Sequence, residues 1–158
     1  MANQEIECKF LVKGDYKKFV TKKIKIVQGF LSTVAERTVR IRIKDDKGFL
    51  TVKGIGNKSG TSRYEFEKEI SLNDAKDLMA ICEPGVIHKT RFIVPSTKGL
   101  FFEIDEFYGE NKGLTIAEIE LPTEETTFEK PAWLGKEVTG DVRYFNSMLI
   151  KNPYKNWK

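Results

Sequence analysis

Polar and apolar residues alternate with period two along most of this chain, a pattern that predicts a succession of β-strands. In Glu5-Ile6-Glu7-Cys8-Lys9-Phe10 one face carries Glu5, Glu7 and Lys9, and the other carries Ile6, Cys8 and Phe10. Arg40, Arg42 and Lys44 share a face opposite Val39, Ile41 and Ile43, and Lys53 ends Leu50-Thr51-Val52-Lys53. Arg63, Glu65, Glu67 and Glu69 alternate with Tyr64, Phe66, Lys68 and Ile70. Lys89 and Arg91 are spaced likewise, Glu103 and Asp105 alternate with Phe102 and Ile104, and Glu118 and Glu120 alternate with Ala117, Ile119 and Leu121.

Helical spacing interrupts the strands in three places. Tyr16, Phe19 and Val20 predict a helix from Asp15 to about Lys22. Ser71 caps a second, from Leu72 to about Cys82, whose stripe Ala75, Leu78, Met79 and Cys82 ends at Pro84-Gly85. The third runs from Asp141 to about Ile150, burying Val142, Phe145, Met148 and Leu149 and holding Arg143 on another side. The glycine-rich stretch Gly54–Gly60 lacks the Gly-Lys-Ser/Thr ending and following helix of a phosphate loop, so it reads as a hairpin loop.

A solvated sheet face alternates in the same way, so no single strand is diagnostic. Taken together, however, these strands bunch like charges into acidic pairs and basic pairs. Carboxylates two apart on a strand lie about 7 Å from each other and repel, which a divalent cation would relieve. A wide closed barrel gives all these charges a common destination. Alternate side chains face its lumen, and a lumen too wide for side chains to fill can stay polar and hold a ligand.

Composition narrows the function classes. The 158 residues, 40% hydrophobic and 32% charged, fit one globular domain spanning 1–158. A net charge of +4 suits an anionic small molecule, yet no long basic run or lysine-rich tail points to nucleic acid or an anionic membrane. No apolar run is long enough to span a bilayer and no signal peptide is evident, so a cytoplasmic location is expected. A homodimer is compatible with the sequence. Cys8 and Cys82 are too few and too far apart for a zinc site or disulfide framework and read as reduced core thiols. His88 has the opposite parity to Lys89, which places it outside any lumen.

The opening Glu5-Ile6-Glu7-Cys8-Lys9 resembles the E-x-E-x-K signature of the CYTH superfamily, the triphosphate tunnel metalloenzymes. Val27-Gln28-Gly29-Phe30-Leu31, Arg40-Ile41-Arg42, Leu50-Thr51-Val52-Lys53-Gly54, Arg63-Tyr64-Glu65-Phe66-Glu67 and Lys89-Thr90-Arg91 follow in that family's order. So do Phe102-Glu103-Ile104-Asp105, Ala117-Glu118-Ile119-Glu120, Trp133-Leu134-Gly135 and Val138-Thr139-Gly140-Asp141-Val142-Arg143-Tyr144. Two positions depart from the pattern: Phe30, where many relatives carry Tyr, and His88, where an acidic residue often precedes the Lys-Thr-Arg motif.

The resemblance implies an α+β, mostly β fold: an eight-stranded antiparallel closed barrel with short flanking helices, its tunnel acidic on one side and basic on the other. It also implies hydrolysis of a triphosphate aided by Mg²⁺ or Mn²⁺, with inorganic tripolyphosphate favoured and a nucleoside or thiamine triphosphate as alternatives. On matched positions, Glu5, Glu7, Glu103, Asp105, Glu118 and Glu120 would hold metal. Lys9, Arg40, Arg42, Lys53, Arg63, Lys89, Arg91 and Arg143 would grip the substrate, with Glu5, Glu7, Lys9, Arg42 and Lys89 closest to the chemistry. Glu65 and Glu67 would orient those cations by ion pairing or join the metal shell. Class IV-type adenylate cyclase chemistry on the same scaffold is a competing expectation, and a non-catalytic polyphosphate- or nucleotide-binding module is another.

Overall fold

The computed structural model describes residues 3–157. Its strands are β1 (Gln4–Val12), β2 (Lys22–Ser32), β3 (Arg37–Lys44), β4 (Lys47–Gly54), β5 (Ser62–Ile70), β6 (Ile87–Pro95), β7 (Phe101–Phe107), β8 (Thr115–Glu120) and β9 (Leu134–Glu137). Two α-helices accompany them, α1 (Leu72–Ala80) and α2 (Asn146–Lys151). All strand pairings are antiparallel, in the order β5-β4-β3-β2-β6-β7-β8-β1-β9. The first eight close on themselves because the start of β1 pairs with β5, matching Gln4, Glu5 and Ile6 with Tyr64, Arg63 and Ser62. The end of β1 turns away from β5 and takes β9 instead. One strand thus closes the barrel with one half and carries a short flap with the other.

Two apolar clusters lie on different sides of the wall. Outward-facing Phe10, Phe92, Phe102, Ile104, Ala117 and Ile119 form a core outside the barrel, covered by Tyr16, Leu121 and Trp133 of the connecting segments and by Leu134 of β9. Each large side chain of this kind contributes about 1.5–3 kcal/mol through burial. The second cluster closes one end of the lumen. Ile87, Phe107 and Ile116, which share parity with Lys89, Asp105 and Glu118, pack against Val138, Tyr144 and Leu149. The lumen is therefore blind at one end and polar above that floor.

The helix expected at 15–22 is a correction: it reduces to a single 3₁₀ turn at Lys17–Phe19. So short a segment gains little from helix formation alone, and β2 needs Lys22 onward extended against β6. Tyr16 is buried beside Phe92 and Trp133, while Phe19 stays exposed. The second helix forms as expected, with the Ser71 side chain accepting from the Asp74 backbone N–H. Gly48 lets it approach the barrel, since a Cβ there would come within 2.5 Å of the Ala75 Cβ. The third is broken into a 3₁₀ turn at Val142–Tyr144 and α2, with extended Phe145 between them. Val142, expected to be buried, is exposed.

Candidate active site

The sheet order sorts the lumen charges. Going round the barrel, β7, β8, β1 and β5 are consecutive, and they carry Glu103, Asp105, Glu118, Glu120, Glu5, Glu7, Glu65 and Glu67. The other four strands, β4, β3, β2 and β6, carry Lys53, Arg40, Arg42, Lys44, Lys89 and Arg91. An acidic arc therefore faces a basic arc, with Lys9 and Arg63 the cations inside the acidic one. Between them lies a cavity of about 850 Å³, open mouth included, lined by these charges together with Phe30, Thr38, Thr51, Phe145, Asn146 and Ser147. Asp105 sits below the lining, beneath Lys89 and Arg91.

Glu5, Glu7 and Glu120 each place a carboxylate oxygen within 4.8 Å of the others. Burial, reinforced by the nearby Glu118 and Glu5 charges, pushes the Glu7 carboxyl up to about 8. Glu120 is raised to about 7 by burial and then by Glu5 and Glu103. At Glu5 burial acts in the same direction, but the Lys53 ion pair at 2.9 Å and Arg63 outweigh it and hold the group down at about 2. Three crowded carboxyl groups, two of which hold their protons up to about pH 7–8, offer oxygen donors to a hard divalent cation, whose binding would displace those protons.

The other carboxylates expected to hold metal are placed differently. Asp105 is buried between Lys89 at 2.8 Å and Arg91, which donates from Nε at 2.8 Å and Nη2 at 2.9 Å. Those cations overcome its burial and hold its carboxyl well below the usual range. Glu103 pairs with Arg91 at 3.2 Å, and Glu118 pairs with Lys9 at 3.4 Å and Arg91 at 3.5 Å. None of the three joins the Glu5–Glu7–Glu120 group; each is instead paired with a lumen cation. Glu65 lies 3.4 Å from Lys53 and Glu67 3.5 Å from Arg40, so both make ion pairs.

The basic arc is buried and only partly compensated. Arg42 is lowered to about 9 by burial and by Arg40 and Arg91. Lys89 falls to about 7, where burial outweighs the opposing pull of Asp105. Arg40 keeps one buried donor, Nε, without a hydrogen-bond partner. An unpaired buried donor is costly, and an anionic oxygen entering the cavity would satisfy it. Arg143 is not among the residues lining the cavity. It is largely exposed and pairs with Asp141 at 2.7 Å outside the cavity, because the 3₁₀ turn points it outward. His88 is exposed, in keeping with its parity.

Of the lining or supporting residues that sequence reasoning missed, three hold or face the cations. Phe145 lies beneath the cations of Lys9 and Arg63, at 5.4 and 5.7 Å from its ring centroid. Gln28 is fully buried and accepts from Arg42 Nε at 3.0 Å. Asn146 accepts from Gln28 at 2.8 Å and from Lys89 at 3.0 Å. The available signal was Gln28 itself, a polar residue on the parity of Ile24, Ile26 and Phe30. Nothing local in the sequence marked Asn146. No helix among the described residues is long and apolar enough to cross a membrane.

Similar proteins agree with this architecture. The inorganic triphosphatase of Acetivibrio thermocellus is 49% identical over 156 residues, 98% of each chain. That of Nitrosomonas europaea is 34% identical over 148 residues, covering 92% of this chain and 95% of its own. Among solved structures, the inorganic triphosphatase NE1496 superposes with a TM-score of 0.66 at 30% identity, over 92% of this chain and 93% of that one. The family model of the CYTH domain matches residues 3–149, which include every strand of the barrel, and the chain belongs to the CYTH family.

Proposed function

We propose that this protein hydrolyses inorganic tripolyphosphate to diphosphate and phosphate with the aid of a divalent cation. The observation that carries this reading is the separation of charge around the barrel: three mutually repelling carboxylates face buried, under-compensated cations across one blind cavity. A polyanion alone would be repelled by the acidic arc and a cation alone by the basic one. A metal-bound phosphate chain satisfies both. The names of the two relatives at 49% and 34% identity support the same reading.

Glu5, Glu7 and Glu120 would hold Mg²⁺ or Mn²⁺, hard ions that prefer oxygen ligands. When bound, such an ion neutralises phosphate oxygens and lowers the pKa of a coordinated water. The protein's own residues do the positioning. Arg40 offers its free Nε, and Arg42 and Lys89 approach from the same wall. The planar guanidinium of Arg suits paired phosphate oxygens, whereas Lys acts as a point charge. Lys9 and Arg63 supply positive charge from within the acidic arc, and Lys53 from the edge of the basic arc beside Glu5.

In the reaction, water forms a bond to a terminal phosphorus as the bridging P–O bond breaks. The electron pair leaves on the diphosphate oxygen, and one proton is released. Charge on the transferring and leaving oxygens is what the fixed cations stabilise, and this accounts for most of the catalysis such a step needs. Among the described residues no Cys or His lines the cavity, and none is required. The substrate is a small polyanion, and the site of action is cytoplasmic.

The test is product analysis. Purified protein with Mg²⁺ or Mn²⁺ is given tripolyphosphate, ATP and thiamine triphosphate, and phosphate, diphosphate and cyclic AMP are measured. Fastest turnover is expected from tripolyphosphate, with phosphate and diphosphate in equal amounts. Cyclic AMP from ATP as the main product would overturn the proposal, and binding without turnover would favour a non-catalytic module.

A further inference from the structure

We infer that Asn146 is a substrate-binding residue, donating a hydrogen bond from its side-chain nitrogen to the phosphate chain while its carbonyl holds the cations behind it in place. The inference rests on the triphosphatase reading of the cavity and adds a residue to it.

A chain of four side chains runs behind the basic wall. Arg42 Nε donates to Gln28 Oε1 at 3.0 Å, Gln28 Nε2 donates to Asn146 Oδ1 at 2.8 Å, and Lys89 Nζ donates to the same Oδ1 at 3.0 Å. Its polarity is fixed by its two ends. Guanidinium and ammonium groups can only donate, so the carbonyl of Gln28 must face Arg42 and the carbonyl of Asn146 must face Lys89. The usual ambiguity between the oxygen and nitrogen of an amide is therefore absent at both residues. Gln28 spends both ends of its amide inside the wall. Asn146 spends only its oxygen there, and its Nδ2 donates to nothing among the described residues, although the residue lines the cavity. A neutral donor left over beside Arg42 and Lys89 is suited to a phosphate oxygen.

The position of Asn146 follows from the break after Tyr144. Extended Phe145 carries the chain inward across the blind end, and the first residue of α2 then faces Gln28 and Lys89. The C-terminal segment thus contributes to the aim of Arg42 and Lys89 as well as closing the barrel.

Two substitutions separate substrate contact from a purely structural role. Asn146→Asp keeps the acceptor for Gln28 and Lys89 but replaces the free donor with an anionic oxygen. Asn146→Ala removes both. If Asn146 contacts phosphate, KM for tripolyphosphate should rise more in Asn146→Asp than in Asn146→Ala, by about tenfold or more over wild type. If it only supports the wall, the order reverses, and Asn146→Asp being the milder change would overturn the inference. Thermal unfolding of each variant is followed in parallel. Should Asn146→Asp not fold, Asn146→Ala is compared with Gln28→Ala, which breaks the same wall but keeps the free Asn146 donor: a larger rise in KM in Asn146→Ala supports the contact, and an equal or smaller one refutes it. An inactive wild type would instead sink the triphosphatase reading. Calorimetric binding of tripolyphosphate to the same variants would then decide the Asn146 contact independently, with the same order expected.

Discussion

Arg91 and Asp105 sit directly opposite each other in the β6–β7 ladder, and the guanidinium grips both carboxylate oxygens, at 2.8 and 2.9 Å. Lys89 completes the cluster at 2.8 Å from the same carboxylate. Asp105 is therefore the counter-ion of the cationic wall and stands apart from the Glu5–Glu7–Glu120 group. Asp105→Asn preserves shape but leaves two buried cations short of their partner. It should destabilise the protein by about 3–5 kcal/mol, as breaking a buried ion pair does. Urea unfolding measures this, and metal affinity measured on the folded fraction should stay close to that of wild type.

Glu7 is held in the barrel at a cost in the absence of metal. Its carboxyl is raised to about 8 by burial and neighbouring carboxylates, so Glu7→Gln, which mimics the protonated form, removes that strain. The metal-free variant should unfold at a higher temperature than metal-free wild type above about pH 8, while losing activity. Calorimetric unfolding in EDTA reads the first effect, and phosphate release the second.

The same groups set a pH dependence. Between the ordinary glutamate value of 4.5 and about 8, the native metal-free protein keeps a proton on Glu7 that the unfolded chain has released, so stability falls as pH rises. Glu120 adds to the fall up to about 7. Glu5 and Asp105 act in the opposite sense, losing stability as pH drops below their ordinary values. Lys89, lowered from 10.5 to about 7, restores stability as pH rises between those values. Metal-free protein should accordingly be most stable near about pH 5 and decline towards about pH 7. Saturating Mg²⁺ should flatten that decline, because metal binding displaces the protons. Unfolding temperatures across that range, with and without Mg²⁺, check the expectation.

Arg42 and Arg143 make a contrasting pair. Arg42 is buried in the basic arc, whereas Arg143 is exposed and bound to Asp141. Arg42→Ala should raise KM for tripolyphosphate about tenfold to a hundredfold, the worth of a charge-assisted hydrogen bond. Arg143→Ala should leave KM within about twofold, as an exposed ion pair contributes little. Steady-state kinetics on both variants distinguish them.

Period-two alternation was enough to locate β1 and β3 to β8, because side-chain parity in a strand is geometric and survives tertiary packing. Clustering of like charges correctly implied a polar interior. Helical spacing was less reliable. Tyr16, Phe19 and Val20 have the right intervals, but Tyr16 is taken up by the outer aromatic core and the strand beyond claims Lys22. Phe145 breaks the last helix because the chain must turn there to close the lumen. β9 escaped the alternation, since four residues added to one half of β1 leave no pattern of their own. In the site, residues sharing a strand face were legible. The partners that cross between distant segments were not: Asn146 meets Gln28 and Lys89 over separations that no local pattern encodes.

The most direct measurement is the rate of tripolyphosphate hydrolysis as a function of Mg²⁺ concentration in wild type and Glu7→Gln. Wild type should be inactive in EDTA and saturate with Mg²⁺, and Glu7→Gln should need about tenfold or more Mg²⁺ to reach half its maximal rate. Hydrolysis that persists in EDTA, or superimposable Mg²⁺ curves for the two proteins, would contradict a metal held by the acidic arc opposite the cationic wall.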